Sequence, residues 1–471
     1  MQTPTLVIKF GGTSVGTADA MTRAVSIIAD LHRKWPWLVV VTSALAGVTD
    51  RLLNEALQAA KHGRTEALEA AEAELFSHHH SIIAELLPNE LAWPVEQEIK
   101  ELLSLFVSLV RAIAVLGEAT PRALDAVASL GERMSTRLLA SACRAQGLAA
   151  EAVDATQLIV TDHRFQNAHP DFDATTKRVR THLRPLLEAG RVPIITGFIG
   201  ATPEGITTTL GRGGSDYSAA ILGATLPAQE VWIYTDVDGV MTADPRLVPQ
   251  ARTLAEISYR ELSELAYYGA KVVHPKTVRP AIEAGIGLRI LNTFNPQHPG
   301  TRVVREKGEA NSQGIGAVTA IRKQRLVTID GRGMIGIPGV AARAFGAVAS
   351  TGTSVPFITQ ASSEQSICFS IPAENVEHVL PALEHAFALE LANRDIDRIW
   401  ASEEIAIVTV VGDGMRETPG VAGKIFSALG QENINVWAIA HGSSDVSMSL
   451  VVALADMESA VRAIHRLIEE H

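Results

Sequence analysis

Short apolar segments alternate with an amphipathic one at the start of the chain. Residues 5–10 and 37–41 are mostly apolar and predict buried strands. Between them, residues 18–34 place apolar side chains on one helical face, namely Met21, Val25, Ile28 and Leu31. A strand, a helix and a strand in this order predict a parallel α/β sheet, in which ligands gather at the carboxyl ends of the strands.

The pattern becomes helical after the second strand. Residues 50–115 are rich in Ala, Leu and Glu and predict a helical insertion, and residues 119–145 predict a further pair of helices that carries Gly131 and Glu132. The later elements are predicted as strands at 191–197 and 230–234 and a helix at 256–269. A polar stretch at 305–313 marks the expected domain boundary.

The last third of the chain contains an internal repeat. Residues 327–334 recur as 408–415, and residues 338–341 recur as 419–422, with a constant separation of 81 positions. The other matches are Phe345 with Phe426 and the serine pair 362–363 with 443–444. Each copy predicts a ferredoxin-like βαββαβ unit with its phenylalanine in the core. Two such copies predict a pseudo-symmetric pair, for which the regulation of an enzyme by a small molecule is a natural use.

Composition narrows the class of protein. A length of 471 residues predicts two to four domains, and 47% hydrophobic with 20% charged residues is typical of a globular protein. The net charge of −11 argues against nucleic-acid binding. Two distant cysteines, no apolar run of about 20 residues and no signal peptide predict a reduced, cytoplasmic protein without a membrane span.

Two glycine-rich loops carry the candidate chemistry. Residues 207–217 combine three glycines with Arg212, Ser215 and Asp216, and residues 7–14 end an apolar run in Lys9, two glycines and two hydroxyls. Glycines bring backbone N–H groups close to an anion, and a guanidinium binds a carboxylate or a phosphate in a planar fork. Two such loops predict two anionic ligands that meet, as in phosphoryl transfer to an acid.

The motifs together resemble those of the aspartate kinases, which are amino-acid kinases with a C-terminal pair of ACT domains. The motifs that carry the resemblance are residues 9–14, 131–132, 207–217, 235–239, 244–246 and 269–271. The resemblance implies a three-layer α/β/α kinase domain with a helical insertion, followed by two ferredoxin-like ACT domains. The expected domains are 1–304 for the kinase, 315–395 for the first ACT domain and 402–471 for the second.

The family resemblance also implies the reaction and the roles of individual residues. The reaction would be the phosphorylation of L-aspartate by ATP. The catalytic residues would be Lys9, Asp216 and Lys271, and the aspartate-binding residues would be Ser43, Thr49, Glu132, Arg212 and Ser215. The nucleotide-binding residues would be Gly11, Gly12, Thr235, Asp236, Met241, Arg246 and Lys271. Mg²⁺ is expected with ATP, held by phosphates and water and not by a protein cage. Met241 stands where the family often has tyrosine, and methionine can still pack on a base.

The regulatory part resembles the threonine-sensitive branch that is linked to homoserine dehydrogenase. Gln360 matches a glutamine that binds the effector in that branch, and His441 stands at the equivalent position of the second copy. The effector would therefore be threonine or lysine. We also expect a homodimer or homotetramer, and a monofunctional kinase because no dehydrogenase motif precedes the end at His471.

Each candidate residue also has an ordinary structural interpretation. Lys9 would be a solvated residue at the end of a strand, Glu132 a helix N-terminal carboxylate, and Asp216 a helix N-cap. Residues 244–246 would form a plain turn. The three consecutive histidines at residues 78–80 would belong to a solvated helix and not to a metal site, because adjacent residues do not share a helix face. For the whole chain, the alternatives are a kinase for another amino acid or a nucleotide, and an amino-acid sensor without activity.

Overall fold

The computed structural model describes residues 3–63, 65, 67–269, 273, 275–307, 314–334, 338–360, 365–441 and 446–469. The contacts within the chain divide it into two compact units. The first unit contains the chain up to Val240 together with residues 253–259 and 273–305. The second unit contains residues 241–252, 260–269 and the chain from Glu306 onwards.

The first unit is built on an eight-stranded sheet with the strand order β3-β4-β2-β1-β7-β9-β10-β8. Its strands are β1 (Thr5–Phe10), β2 (Trp37–Thr42), β3 (Ala150–Val153), β4 (Val192–Thr196), β7 (Glu230–Thr235), β8 (Glu256–Ser258), β9 (Gly287–Asn292) and β10 (Thr301–Val304). A separate hairpin consists of β5 (Ile199–Ala201) and β6 (Thr207–Thr209). The six strands from β3 to β9 in this order are parallel, and β10 is antiparallel to β9.

Helices cover both faces of this sheet. They are α1 (Gly12–Val15), α2 (Ala18–His32), α3 (Val48–His62), α4 (Leu68–Leu86), α5 (Asn89–Leu116), α6 (Pro121–Ala145), α7 (Phe172–Arg178), α8 (Arg184–Glu188), α9 (Gly214–Thr225) and α11 (Pro275–Glu283). Alternate strand residues such as Ile8, Val40 and Ile194 pack on α2 to α6 in one large core. On the opposite face, α9 approaches so closely that a side chain at Gly223 would meet Val231. This gives the predicted three layers.

Helix α2 has the buried face that its sequence predicts. The hydroxyl of Thr17 accepts a hydrogen bond from the N–H of Ala20 and caps α2. All four apolar positions predicted for the inner face, from Met21 to Leu31, are buried. Strands β1 and β2 are buried as well, as expected for strands that are covered on both faces.

Two predicted elements differ in the structure. Residues 121–145 form one helix, α6, and not a pair, because Gly131 continues the helix where its backbone packs against Ala44. A Cβ atom at Gly131 would lie 2.8 Å from the Cβ of Ala44. The predicted helix at 256–269 begins instead with β8, since Ile257 is buried in an edge strand beside β10, and only then continues as α10 (Tyr259–Tyr267).

The three consecutive histidines are not all solvated, contrary to expectation. His79 on α4 is fully buried, and its Nδ1 donates a hydrogen bond to the carbonyl oxygen of Leu75 at 2.7 Å. Its Nε2 is buried with no hydrogen-bond partner among the described residues. His78 donates to the carbonyl oxygen of Gly16, and only His80 is exposed. Burial lowers the pKa of His79 to about 4, so the ring is neutral at pH 7.

We expect acid to destabilise the protein through His79. Between pH 6.5 and 4 the unfolded chain binds a proton at His79 and the folded chain does not, so the free energy of unfolding falls as pH falls, by about 3 kcal/mol at pH 4. In His79→Leu the melting temperature should therefore drop less between pH 7 and pH 5, whereas exposed His62→Gln should behave like the parent. Equal acid sensitivity of parent and His79→Leu would show that His79 is not responsible.

The second unit is built on one antiparallel sheet with the order β12-β13-β11-β14-β16-β15. Its strands are β11 (Ala317–Asp330), β12 (Phe357–Gln360), β13 (Ser366–Pro372), β14 (Arg398–Val411), β15 (Ala438–Ala440) and β16 (Ser447–Ala453). Its helices after α10 are α12 (Val340–Ser350), α13 (Val376–Ala386), α14 (Ala388–Asn393), α15 (Val421–Gln431) and α16 (Met457–Glu469). The two long strands β11 and β14 pair with each other and join the two repeats into one sheet.

The internal repeat is visible in the structure. Gly339 and Gly420 take the same left-handed conformation immediately before α12 and α15, with φ of 91° and 87°. Each repeat has its own core, and Phe345 and Phe426 are half-buried at the edges of these cores. The matching serine pairs at 362–363 and 443–444 lie outside the described residues.

Residues 241–252 belong to the second unit although they precede its sheet by many residues. The N–H of Val318 on β11 donates to the carbonyl oxygen of Thr242 at 2.8 Å, and the hydroxyl of Thr242 lies 2.9 Å from Nε2 of His465 on α16. Ala243 and Val248 are buried in the core of the second repeat.

None of the described helices has the length and the apolar composition that a membrane span requires.

Candidate active site

The carboxyl ends of the central strands bring the predicted loops together. Strands β1, β2, β4 and β7 are adjacent and parallel, and the register pairs Phe10 with both Thr42 and Tyr234. The residues that follow the ends of β1, β2 and β7 therefore lie at the same edge of the sheet. The N–H of Ser43 donates to the carbonyl oxygen of Phe10 at 3.1 Å, and the N–H of Gly197 donates to that of Thr42 at 2.8 Å.

A cavity of about 540 Å³ lies at this edge of the first unit. Its volume is within the range of pockets for small molecules. The predicted site residues that line it are Lys9, Gly12, Ser43, Thr49, Glu132, Arg212, Ser215 and Asp216. Both predicted anion-binding loops thus open into one cavity, together with the loop that follows β2.

Lys9 and Asp216 form an ion pair in this cavity. Nζ of Lys9 lies 2.6 Å from Oδ1 of Asp216, and both residues are largely buried, at 9% and 7% exposure. Lys9 is therefore not a solvated residue at the end of a strand. Asp216 is in the first turn of α9, and the N-cap of that helix is Gly213, so the N-cap interpretation of Asp216 is wrong.

The second glycine loop turns sharply to begin α9. Gly211 and Gly213 have φ of 79° and 70°, a conformation that a residue with a side chain rarely adopts. No described side chain caps α9, so the N–H groups of its first turn, including that of Ser215, can donate to an anion in the cavity. The Arg212 side chain is exposed between the two glycines and makes no ion pair within the described residues.

Glu132 is a buried carboxyl group on α6 that faces the cavity. It is in the middle of this helix and is 3% exposed, so it is not a helix N-terminal carboxylate. One of its oxygens accepts a hydrogen bond from the N–H of Ala44 at 3.3 Å, and the other is buried with no partner among the described residues. Burial raises the pKa of Glu132 to about 8.

The loop after β2 packs closely on the first glycine loop. A Cβ atom at Gly12 would lie 2.9 Å from the carbonyl oxygen of Ala44, so this approach requires glycine. Gly47 then begins α3 without a side-chain cap, and Thr49 is in the first turn of that helix. Ser43 and Thr49 consequently lie on the same wall of the cavity as Ala44.

The residues predicted for the nucleotide are more dispersed. In the first unit, Gly11 accompanies Gly12, and Thr235 and Asp236 follow at the end of β7, with the N–H of Gly11 bonded to the carbonyl oxygen of Tyr234. Met241 and Arg246 belong to the second unit. Arg246 pairs with Asp244 at 2.6 Å in a turn, and Lys271 lies outside the described residues.

The predicted effector residues occupy matching places in the second unit. Gln360 is the last residue of β12, and His441 directly follows β15. Both side chains are exposed. The two residues thus lie at the ends of the two edge strands of the six-stranded sheet, one in each repeat.

Several residues that line the cavity were not predicted as site residues, and Asp125 and Phe198 are two of them. Asp125 is on α6 seven residues before Glu132, a spacing that places both on one face of a helix and could have revealed it. Phe198 has φ of 68°, which is rare for a residue with a side chain, and its N–H donates to the hydroxyl of Ser218. No sequence signal distinguishes Phe198. In the described parts of the chain, no group of three or more His, Cys, Asp or Glu residues could hold a metal ion.

Comparisons with known proteins agree with this architecture. Residues 4–292 match the amino acid kinase family, and residues 327–387 and 408–467 each match the ACT domain. A chloroplastic bifunctional aspartokinase/homoserine dehydrogenase 1 from Zea mays is 36% identical over 467 residues, which are 98% of this chain and 50% of the relative. The chain spans about half the length of the bifunctional relatives that it matches.

Another relative matches over nearly all of its own length. The lysine-sensitive aspartokinase 3 of Escherichia coli is 33% identical over 464 residues, which cover 98% of both chains. The crystal structure of E. coli aspartokinase III in complex with aspartate and ADP (R-state) superposes with a TM-score of 0.83 at 31% identity, covering 99% of this chain and 100% of that chain. The chain therefore belongs to the amino acid kinase family and, within it, to the aspartokinases.

Proposed function

We propose that this chain transfers the γ-phosphoryl group of ATP to the β-carboxylate of L-aspartate and so forms 4-phospho-L-aspartate and ADP. This reaction is the first step of lysine, threonine and methionine biosynthesis. The observation that carries the proposal is the buried Lys9–Asp216 pair in a cavity that also presents Arg212 and Glu132. Membership in the aspartokinases supports it, as do the aspartate and ADP bound to the E. coli enzyme.

Positioning and charge account for the catalysis. An oxygen of the β-carboxylate attacks the γ-phosphorus, and the bond from that phosphorus to the oxygen that leaves with ADP breaks. The carboxylate is already ionised at pH 7, so no general base is needed. Lys9 stabilises the charge on the transferred group, and Asp216 holds the Lys9 ammonium in place from 2.6 Å away.

The other polar groups of the cavity orient aspartate. Arg212 binds a carboxylate of the substrate through its planar fork, and Glu132 binds the substrate ammonium with its unpartnered oxygen. Ser43, Thr49 and Ser215 add hydroxyl or backbone donors from the cavity wall. Aspartate carries an α-ammonium, an α-carboxylate and a β-carboxylate, so contacts from Glu132 to the ammonium and from Arg212 to the α-carboxylate leave the β-carboxylate free to reach the γ-phosphoryl group beside Lys9.

The first glycine loop and the start of α9 suit the phosphates of a nucleotide. Gly12 lets the first glycine loop pack directly on the backbone of Ala44 and Ala46, and the first turn of α9 offers N–H donors beside Lys9. Gly11, Thr235 and Asp236 are assigned to the nucleotide, and the same role for Met241, Arg246 and Lys271 rests on the family resemblance. Mg²⁺ would be bound to the phosphates and water and would supply further charge neutralisation.

The domain limits and the regulation are part of the same proposal. We assign residues 1–304 to catalysis, 315–395 to the first ACT domain and 402–471 to the second. An amino acid, threonine or lysine, binds the ACT domains through Gln360 and His441 and inhibits the enzyme. The lysine sensitivity of the E. coli relative and the ACT matches support feedback regulation. We also propose a homodimer or homotetramer.

The test is steady-state turnover with ATP and L-aspartate, with the acyl phosphate trapped by hydroxylamine. Formation of aspartyl hydroxamate is expected, and addition of millimolar threonine or lysine should lower its rate. Turnover with glutamate in place of aspartate, or no hydroxamate with any amino acid, would contradict the proposed function.

A further inference from the structure

Asp125 is a buried carboxylate beside the substrate cavity that the mechanism above does not use. It is on α6, is 1% exposed and lines the cavity. Its two oxygens accept hydrogen bonds from the N–H of Thr209 at 2.9 Å and from the hydroxyl of Thr209 at 2.8 Å. Both oxygens also lie within 3.1 Å of the N–H of Gln166. Every partner of Asp125 is therefore a donor.

These hydrogen bonds hold two segments that meet at the Arg212 loop. Thr209 is the last residue of β6, and the chain reaches Gly211 and Arg212 directly afterwards. Gln166 has a φ of 67°, and its carbonyl oxygen would lie 3.0 Å from a Cβ atom at Gly211. A further bond, from the N–H of Ala168 to the carbonyl oxygen of Thr209, ties the two segments together. One carboxylate thus fixes both supports of the turn that presents Arg212.

The same helix holds β6 at its other end and also carries Glu132. The Arg133 guanidinium on α6 lies 3.4 Å from the hydroxyl of Thr207, the first residue of β6, and pairs with Asp154 at 2.6 Å. Glu132 faces the cavity from the position before Arg133. Helix α6 therefore determines the place of both charged groups that are assigned to the substrate, Glu132 directly and Arg212 through β6.

We propose that Asp125 is a positioning residue for aspartate, which acts by holding Thr209 and Gln166 so that the Arg212 guanidinium meets a carboxylate of the substrate. This inference rests on the proposed function. Its physical basis is that a buried carboxylate with only donors around it cannot be replaced by an amide without turning an N–H group towards another donor. The resulting shift of the loop would displace Arg212.

The first test is the kinetics of Asp125→Asn. We expect kcat/KM for aspartate to fall by about 100-fold, because small displacements of a substrate-binding group have effects of this size. Thr209→Val, which removes only the hydroxyl donor, should lower it by about tenfold, and Thr209→Ser, which keeps that donor, should restore it. Asp171→Asn is the matched control, since Asp171 is an exposed aspartate that accepts a backbone N–H bond as the N-cap of α7.

The second test asks whether Asp125 acts through Arg212. When Arg212 is already replaced by alanine, adding Asp125→Asn should lower kcat/KM for aspartate by less than about threefold, because the effects of residues that act through one another are not additive. A full 100-fold loss in that background would overturn the inference and show a general structural role. If Asp125→Asn does not fold, the Thr209→Val and Thr209→Ser pair decides, and equal kcat/KM values for the two would overturn it. Absence of hydroxamate with the parent enzyme would contradict the proposed function instead.

Discussion

Lys9→Met is expected to lower kcat for aspartate phosphorylation by about 100-fold or more, judged from the loss of comparable electrostatic donors at transition states. Methionine keeps much of the apolar stem of lysine and removes the ammonium that would neutralise the transferred phosphoryl group. Because that charge develops mainly in the transition state, KM for aspartate and ATP should change much less than kcat. Hydroxamate formation under saturating substrates measures the effect.

The burial of the Lys9–Asp216 pair requires a second variant for Lys9. Removing one partner leaves the carboxylate of Asp216 buried and uncompensated, which can destabilise the site by itself. Lys9→Met combined with Asp216→Asn removes both charges and should remain as inactive as Lys9→Met. The exposed Lys34→Ala is the control and should retain full activity. A kcat near that of the parent in either Lys9 variant would exclude Lys9 as the group that stabilises the transferred phosphoryl.

Local patterns were sufficient for much of the fold. The spacing of apolar positions in α2 and the continuous apolar runs of β1 and β2 depend only on neighbouring residues, and both are present in the structure. The 81-residue repeat is visible when the sequence is compared with itself, and the structure contains it as two matching halves of one sheet. The errors came from contacts that are distant in sequence. Gly131 is tolerated inside α6 because of Ala44, and Ile257 forms a strand because β10 lies beside it. Neither neighbour is visible in a local window.

The site shows the same division. The residues of the two glycine loops could be found because glycine, a cation and hydroxyl groups are adjacent in the sequence, and these loops do meet in one cavity. Asp125 has no such neighbours in the sequence: its helical spacing from Glu132 places it on the same face of α6, but its partner Thr209 is 84 residues away, so its role could not be predicted. The place of Met241 in the second unit was also not predictable. Residues 241–252 belong to the second unit, although the chain immediately before and after them belongs to the first.

The second large effect concerns Glu132 and pH. Burial raises the pKa of Glu132 to about 8, so in the free enzyme this carboxyl group holds its proton at pH 7 and loses it as pH rises through about 8. The substrate ammonium needs the carboxylate form, so binding of aspartate should release close to one proton at pH 7. As pH is raised towards 8, the affinity for aspartate should therefore increase about tenfold per pH unit, and above pH 8 it should level off.

Glu132→Gln should remove this pH dependence, because the amide does not titrate. Above pH 8 the variant should bind aspartate about 10- to 100-fold more weakly than the parent, the range expected for loss of a hydrogen bond to a charged partner. Towards pH 6 the two affinities should converge, since the parent carboxyl group is then protonated. Calorimetric titration of aspartate in two buffers with different ionisation enthalpies measures both affinity and proton release, with exposed Glu101→Gln as the control. Parallel pH profiles for the parent and Glu132→Gln would mean that the ammonium of aspartate does not pair with Glu132, and the orientation of aspartate in the cavity would then have to be reassigned.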